Sequence, residues 1–269
     1  MIETIRIMFI GDVVGEPGLD IVKKELPNLI IENNIQFTIV NGENVYDGKG
    51  IRQSDADAIF KAGADVITSG NHIWEKWQSK DVLSNNNKVL RPMNYPAGNA
   101  GNGFVIAQLR NSDDKIGVIN VQGRTFMQSI DCPFKSADWA INKILQQDVK
   151  VIFVDMHAEA TAEKISLSWH LEGRATAVVG THTHVQTNDG RILPGGTAAL
   201  TDAGMTGSYD SVIGMKKDPA IKRFVTQTPH KFEVATEDLH IAVVIVEADT
   251  QTGNAISIDN FIYPELKKF

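Results

Sequence analysis

The sequence has little cysteine, no long apolar segment and no cluster of basic residues. Its one cysteine, Cys132, cannot form a disulfide within the chain, which fits a reducing compartment. The longest apolar stretch, near residues 241–246, is far shorter than the ~18 residues that a membrane-spanning helix needs. The N-terminal residues lack the basic region and the long apolar stretch of a signal peptide. We therefore expect a cytoplasmic protein with no membrane partner.

Basic residues are also in the minority, since 26 lysines and arginines stand against 33 acidic residues and give a formal net charge of −7. Without a basic cluster, long nucleic acid is not expected as a partner. Bound cations would still create local positive charge for a small anionic substrate. Apolar residues make up 42% of the 269 positions, which suits a globular core, and one α/β domain can reach roughly 250 residues. We predict a single domain over residues 1–269.

Short apolar runs alternate with segments of helical periodicity through most of the chain. The runs predict strands at residues 5–10, 37–40, 65–69, 151–155 and 177–180. The periodic segments predict helices at residues 54–62, 74–83, 136–146 and 162–171. Two further pairs, 104–109 with 116–121 and 239–246 with 255–261, are typical of antiparallel strands. This order predicts an α/β fold of mixed sheets covered by helices.

Local signals refine the helix boundaries. Pro17 suits the start of the first helix, and Pro27 is expected to kink or divide it. Ser54 is the predicted N-cap of the second helix.

Five predicted strands end in clusters of metal-ligand residue types. These are Gly11-Asp12, Asn41-Gly42-Glu43-Asn44, Gly70-Asn71-His72, Asp155-Met156-His157 and Gly180-Thr181-His182-Thr183-His184. In open α/β sheets, ligands bind outside the carboxyl ends of the strands. We therefore expect the five clusters to converge on one site. If the last cluster is extended, His182 and His184 share one side of the chain.

Each cluster taken alone also has a structural explanation. Asp12 suits a helix cap, Glu43 suits an ordinary loop, and His157 suits a buried and satisfied histidine. The coincidence favours function, because four of the seven histidines follow apolar runs. We assign structural roles to the other three, which are His170, His230 and His240.

The converging residue types indicate a metal centre. Oxygen donors and imidazoles form a mixed set that suits manganese or iron, with zinc as an alternative. The absence of thiolates from the set argues against a zinc finger. Seven candidates exceed what one tetrahedral ion needs and suffice for two ions that share a carboxylate: Asp12, Glu43, Asn44, Asn71, His157, His182 and His184.

The order and spacing of these clusters resemble the motifs of the calcineurin-like metallophosphoesterases. Two positions depart from the usual pattern, because Val14 stands where a histidine is usual and Glu43 where an aspartate is usual. Both departures resemble one bacterial branch, the YmdB-type phosphodiesterases. The similarity extends over nearly the whole chain, including GDVVGEPG, NGENVYDGKG, GNHIWEKW, DMHAEATAEK and GTHTHVQTNDGRILPGGTA.

The resemblance implies a four-layer α/β/β/α sandwich of two mixed sheets flanked by helices. It implies that Asp12 and His184 hold a first metal ion with Asn44 beside it, and that Glu43 bridges to a second ion. The second ion would be held by Asn71, His157 and His182. His72 would face the substrate as the catalytic residue.

The resemblance also implies a substrate class, cofactors and partners. The substrate would be a 2′,3′-cyclic or 3′,5′-cyclic nucleotide, or a related small phosphodiester. The cofactors would be two metal ions, iron or manganese, with zinc and magnesium as alternatives. The branch further suggests a homo-oligomer and a regulatory role.

Two other functions stay open at this point. Dinuclear centres also cleave amides. The chain would alternatively be a regulatory metal-binding protein with weak phosphatase activity. Gly195-Gly196-Thr197, Arg124 and Lys164 are candidate anion contacts, for which a plain turn, a surface position and a salt bridge are the alternatives.

Overall fold

A computed structural model of the protein describes residues 3–110 and 112–266, so Met1 and Ile2 of the N-terminal segment lie outside the described residues. Within those residues, thirteen strands form two mixed sheets. The strands are β1 (Thr4–Ile10), β2 (Asp12–Val13), β3 (Phe37–Asn41), β4 (Val66–Thr68), β5 (Phe104–Gln108), β6 (Lys115–Gln122), β7 (Val151–His157), β8 (Ala177–Thr181), β9 (Arg191–Ile192), β10 (Ala198–Leu200), β11 (Met205–Ser208), β12 (Leu239–Asp249) and β13 (Ala255–Tyr263). The helices are α1 (Gly15–Glu32), α2 (Gln53–Ala62), α3 (Trp77–Asn85), α4 (Pro133–Leu145), α5 (Thr161–His170) and α6 (Lys217–Thr226), and a 3₁₀ helix covers Asn71–Trp74.

The first sheet has the order β2-β11-β12-β1-β3-β4, and β13 pairs with β12. Its strands β1, β3 and β4 are parallel, so their carboxyl ends meet at one edge. The second sheet has the order β5-β6-β7-β8-β10-β9, with β6, β7, β8 and β10 parallel. The predicted antiparallel pairs are confirmed as β5 with β6 and β12 with β13.

Apolar side chains fill three successive layers. Between the sheets, Phe9 of β1 contacts Phe153 of β7, with ring centroids 5.2 Å apart. Helices α1, α2 and α3 cover the outer face of the first sheet, where Val22 and Ile59 are fully buried. Helices α4 and α5 cover the outer face of the second sheet with residues such as Leu167. The predicted four-layer α/β/β/α sandwich is confirmed.

Side chains that point between the sheets change from apolar to polar towards the carboxyl ends of the strands. Because successive side chains alternate in a strand, Phe153, Asp155 and His157 of β7 share one face. In β3, Ile39 and Asn41 share the corresponding face of the first sheet. The inner layer is therefore apolar in the middle and polar at the carboxyl ends of the strands, where the candidate site lies.

Two helix predictions are corrected, and for Pro27 one of the two expected alternatives is excluded. Helix α2 begins at Gln53, so its N-cap is Arg52 and not Ser54. The Asp55 carboxylate accepts the backbone N–H of Arg52 at 2.9 Å and stabilises this start of the helix. The helix predicted at residues 74–83 begins later, at Trp77, because the preceding residues form the 3₁₀ helix. Pro27 does not divide the first helix, since α1 continues to Glu32.

No helix in residues 3–110 and 112–266 combines the length and the apolar character needed to cross a lipid bilayer.

Candidate metal centre

The first sheet supplies five of the expected residues at its carboxyl edge. Asp12 begins β2, directly after β1. Glu43 and Asn44 lie in the loop after β3, and Asn71 and His72 open the 3₁₀ helix after β4. Asp12, Glu43 and Asn44 are almost completely buried, whereas the His72 side chain is 28% exposed. The buried residues thus lie beneath a more accessible histidine.

The second sheet supplies three histidines. His157 is the last residue of β7 and is fully buried. His182 and His184 follow β8 with φ of 100° and 65°, so the chain is not extended there. The two side chains therefore do not share one side of an extended strand, as the sequence had led us to expect. His182 Nδ1 lies 3.1 Å from His157 Nε2, while His184 Nε2 lies 3.1 Å from Asn44 Nδ2. The two histidines therefore contact different neighbours.

Gly70 allows the two sheets to approach at this edge. A Cβ atom at this position would lie 2.2 Å from His157 Nε2 and 2.3 Å from Glu43 Oε2. These separations are far below van der Waals contact, so a side chain at Gly70 would displace the imidazole and the carboxylate.

The candidate ligand atoms form two groups that share Glu43. One group contains Glu43, His157 and His182, and the other contains Asp12, Glu43 and His184. In each group the ligand atoms all lie within 4.8 Å of one another. Because Glu43 belongs to both groups, its carboxylate would contact a cation held in either of them.

Asn71 joins the first of these groups. Its Oδ1 lies 3.0 Å from His157 Nε2, which in turn lies 3.3 Å from Glu43 Oε2. The structure therefore places all seven expected ligands, together with His72, around one site.

The charges in the site fit a bound cation. Among the residues that the structure describes, Asp12 Oδ1 is buried without a hydrogen-bond partner. Burial raises the pKa of Asp12 well above its usual value, and the charge of Glu43 raises it further. A cation between the two carboxylates would remove this penalty, because it favours their ionised forms.

The imidazoles also suit a cation. Burial lowers the pKa of His157, His182 and His184, which favours the neutral rings whose lone pairs bind metals. Imidazole, carboxylate and amide donors together match manganese, iron or zinc.

Comparison with known proteins places the chain in a family. Residues 8–261 match the family described as YmdB-like protein. The chain belongs to the YmdB-like family. This YmdB-like chain is 46% identical over 257 residues to the 2′,3′-cyclic-nucleotide 2′-phosphodiesterase of Bacillus subtilis, with 96% of each sequence covered.

Solved structures agree with this placement. The crystal structure of a novel phosphatase from Mycoplasma pneumoniae has a TM-score of 0.89 to the YmdB-like chain at 32% identity, covering 97% of this chain and 94% of the other. A 5′-nucleotidase precursor from Thermus thermophilus has a TM-score of 0.61 at 12% identity and covers 96% of this chain and 54% of the other. At this low identity, the similarity to the 5′-nucleotidase precursor shows only that the two folds are alike. The metallophosphoesterase fold is confirmed.

His72 lies at the accessible side of the site in this YmdB-like chain. Its Nδ1 lies 2.7 Å from Asn44 Oδ1 and 3.3 Å from Glu43 Oε1. Burial alone would lower the pKa of His72, but the hydrogen bond with Glu43 reverses the direction and raises it. His72 therefore has hydrogen-bonding partners that hold its ring beside both groups.

The Asn44 amide faces two ways. Its oxygen accepts from His72, and its Nδ2 donates to Glu43 Oε1 at 2.9 Å and lies beside His184 Nε2. Amides bind cations through oxygen, so direct ligation by Asn44 would require the oxygen and nitrogen to exchange places. In the orientation present, Asn44 supports its neighbours through hydrogen bonds.

Sequence reasoning missed several supporting residues. Glu159 Oε2 lies 3.2 Å from His182 Nε2. Asp202 accepts the Thr183 hydroxyl at 2.7 Å and thereby holds the turn between His182 and His184. Asp155 was named in the cluster after the fourth predicted strand but was given no role, although a carboxylate within an apolar strand is an exception to its surroundings.

Two of the candidate anion contacts, Lys164 and the glycine turn, bond to other groups of the protein. Lys164 is 2% exposed, and its Nζ lies 2.7 Å from Asp202 Oδ2. The backbone N–H of Gly195 donates to Glu172 and that of Gly196 donates to Leu193, as in a plain turn. Lys164 therefore forms the salt bridge, and the glycines form the plain turn, that were the alternatives to anion binding.

Proposed function

We propose that the protein is a metal-dependent phosphoric diester hydrolase that cleaves cyclic nucleotides. The observation that carries this proposal is the pair of ligand groups sharing Glu43. Similarity to a 2′,3′-cyclic-nucleotide 2′-phosphodiesterase over 96% of the chain supports the substrate class. We take 2′,3′-cyclic nucleotides as the first substrate class to test, and 3′,5′-cyclic nucleotides or related small phosphodiesters as the second.

The proposed centre holds two cations. Asp12 and His184 would bind one cation with Asn44 beside it, Asn71, His157 and His182 would bind the other, and Glu43 would bind both. Two cations in such a centre supply a nucleophile at neutral pH, by lowering the pKa of water, and neutralise charge on the phosphoryl oxygens. The donor set supports manganese or iron, with zinc and magnesium as alternatives.

His72 is the proposed catalytic residue. Its partly exposed ring would donate a hydrogen bond or a proton to the leaving oxygen of the phosphodiester. Asn44 and Glu43 would orient the ring through the contacts at Nδ1. Proton transfer by a positioned side chain typically contributes about 10²–10⁴-fold to the rate.

The wider setting is also a proposal. We propose one domain over residues 1–269, supported by the apolar layer that both sheets share. We further propose a cytoplasmic location, no membrane partner and a small phosphodiester as the principal partner. A homo-oligomer and a regulatory role stay predictions.

The proposal is tested by loading metal-free protein separately with manganese, iron, zinc and magnesium. Each form is assayed with 2′,3′-cyclic AMP, 3′,5′-cyclic AMP, a phosphomonoester and a peptide amide. We expect metal-dependent cleavage of a cyclic nucleotide, and loss of that cleavage in Asp12→Asn and His182→Ala. His170→Ala is the matched control, because His170 pairs with Asp138 on the surface.

The outcome that would overturn the proposal is equally concrete. A folded, metal-loaded protein that hydrolyses neither phosphodiester nor phosphomonoester would contradict it. Cleavage of the peptide amide alone would instead favour the amidase alternative.

A further inference from the structure

A buried carboxylate lies behind the candidate metal centre. Asp155 follows Phe153 on the inner face of β7, is fully buried and belongs to neither ligand group. Its Oδ2 accepts hydrogen bonds from Asn41 Nδ2 at 3.0 Å and from Thr68 Oγ1 at 2.5 Å. Its Oδ1 accepts one from Thr181 Oγ1 at 2.7 Å. Asp155 therefore connects strands of both sheets directly beneath the site.

The Thr181 hydroxyl stands between Asp155 and His157. It donates to Asp155 Oδ1, and its oxygen lies 3.0 Å from His157 Nδ1. A hydroxyl has one proton to donate. Because that proton goes to the carboxylate, the Thr181 oxygen accepts from His157, and Nδ1 must carry a proton.

The remaining nitrogen of His157 then faces the candidate ligands. A neutral imidazole protonated at Nδ1 has its lone pair on Nε2. That atom lies 3.0 Å from Asn71 Oδ1, 3.1 Å from His182 Nδ1 and 3.3 Å from Glu43 Oε2. Within residues 3–110 and 112–266, Thr181 is the one hydrogen-bond partner of His157 Nδ1.

We propose that Asp155, acting through Thr181, is a positioning residue that fixes His157 as the Nδ1–H tautomer and directs Nε2 to the ligand group. Hydrogen bonds to the second nitrogen of a ligating histidine fix its tautomer and ring orientation in the same way. The inference rests on the proposed function, because it gives His157 the role of a metal ligand.

The same carboxylate also supports the other sheet. Asn41 donates to Asp155 through Nδ2, and its Oδ1 accepts the backbone N–H of Glu43 at 3.1 Å. Asp155 thus fixes the loop that carries the shared Glu43 as well as the ring of His157. One buried group sets the relative positions of a ligand from each sheet.

The test compares three substitutions at two buried threonines. Thr181→Val removes the hydroxyl at nearly constant volume, and Thr181→Ser keeps it. Thr176→Val is the matched control, because Thr176 is equally buried and directly precedes β8, at the end opposite Thr181. The Thr176 hydroxyl also makes one accepted and one donated hydrogen bond, with Ile152 N at 2.9 Å and Gly253 O at 2.7 Å.

Two measurements separate positioning from mere structural support. Nitrogen-15 NMR of the metal-free protein reports which ring nitrogen of His157 carries the proton. It is recorded at pH 8. Titration with Mn²⁺ gives the metal affinity without any assay of activity.

We expect the wild-type ring to be protonated at Nδ1. Thr181→Val should lose this fixed tautomer and bind Mn²⁺ about 10–100-fold more weakly. Thr181→Ser should retain both properties, and Thr176→Val should retain both even if it melts at a lower temperature.

Three results would overturn the inference. They are a wild-type His157 protonated at Nε2, an unchanged tautomer and affinity in Thr181→Val, and an equal loss of affinity in Thr176→Val. The first needs no variant, so the inference is decided even if Thr181→Val fails to fold. A protein with the expected tautomer and Mn²⁺ affinity but no phosphodiester cleavage would refute the proposed function alone.

Discussion

The two sheets supply the candidate centre with different chemistry. The first sheet contributes carboxylates and amides from Asp12, Glu43 and Asn71, and the second contributes imidazoles from His157 and His182. The oxygen donors follow β1, β3 and β4 closely, whereas the histidines after β8 lie in a turn of unusual backbone conformation. The halves therefore depend on different supports, and only Glu43 belongs to both ligand groups.

The support of the second half is a buried ion pair. His182 and His184 both have positive φ, a conformation that non-glycine residues adopt at an energetic cost. Thr183 between them donates its hydroxyl to Asp202 Oδ2 at 2.7 Å, and Lys164 Nζ lies 2.7 Å from the same oxygen. Such strain persists where the surroundings hold it, and this buried pair is one such support, beside the Asp12 carboxylate that accepts the backbone N–H of His182 at 3.0 Å.

The largest effect is expected where the two halves meet. Glu43→Gln should lower kcat/KM at least about 1,000-fold, equivalent to roughly 4 kcal/mol, because it weakens both cation sites at once. Metal content per chain, measured by elemental analysis, should fall at both sites. Asp12→Asn should affect mainly one site. Equal metal content in Glu43→Gln and wild type would contradict the shared role.

The next effect on the rate tests how closely the two sheets approach each other at Gly70. Gly70→Ala should lower kcat/KM roughly 100-fold, since displacing a site residue by about 1 Å has effects of this size. The new Cβ would clash with His157 and Glu43 together. Gly207→Ala is the control, because a Cβ there would meet Val14 at an ordinary 3.4 Å. Equal kcat/KM values for the two variants would show that Gly70 is not needed for the close approach of His157 and Glu43.

The larger of two expected effects on stability tests the support of the imidazole half by itself. Lys164→Met should lower the free energy of unfolding by about 3–5 kcal/mol, because it leaves Asp202 buried without its cation. Urea denaturation measures this. Lys217→Met is the matched control, since the Lys217–Asp210 pair is exposed and should contribute about 1 kcal/mol or less. The same midpoint for both variants would refute a supporting role for Lys164.

The smallest effect is expected at the outer face of the first sheet, which supplies no site residue. Ser54→Ala should change the free energy of unfolding by less than about 0.5 kcal/mol, because Ser54 is exposed and lies inside α2. Asp55→Ala should lower it by about 1 kcal/mol, since its carboxylate caps the helix through Arg52 N. Thermal denaturation that ranks Ser54→Ala below Asp55→Ala would contradict this assignment.

The sequence was sufficient for much of the fold. Apolar runs predicted β1, β3, β7 and β8 because these strands are buried on both faces, and buried strands have continuous apolar sequences. Local patterns did not predict β9, β10, β11 or α6. Strands β9 and β10 have only two and three residues, too few for periodicity to appear.

The site was predictable to a similar degree. Strand ends placed His157 and Glu43 together because parallel strands bring their carboxyl ends to one edge. The supporting residues were not predictable, because Glu159 and Asp202 act through contacts between distant segments. Backbone conformation was also hidden, since no local signal in Thr181-His182-Thr183-His184 indicates positive φ.

The central claim is that two adjacent cations share Glu43. Crystals of the manganese-loaded protein, measured at the manganese absorption edge, test it most directly. We expect two anomalous peaks, one bounded by Asp12, Glu43 and His184 and the other by Glu43, His157 and His182. A single peak, or peaks that do not contact Glu43, would contradict the claim.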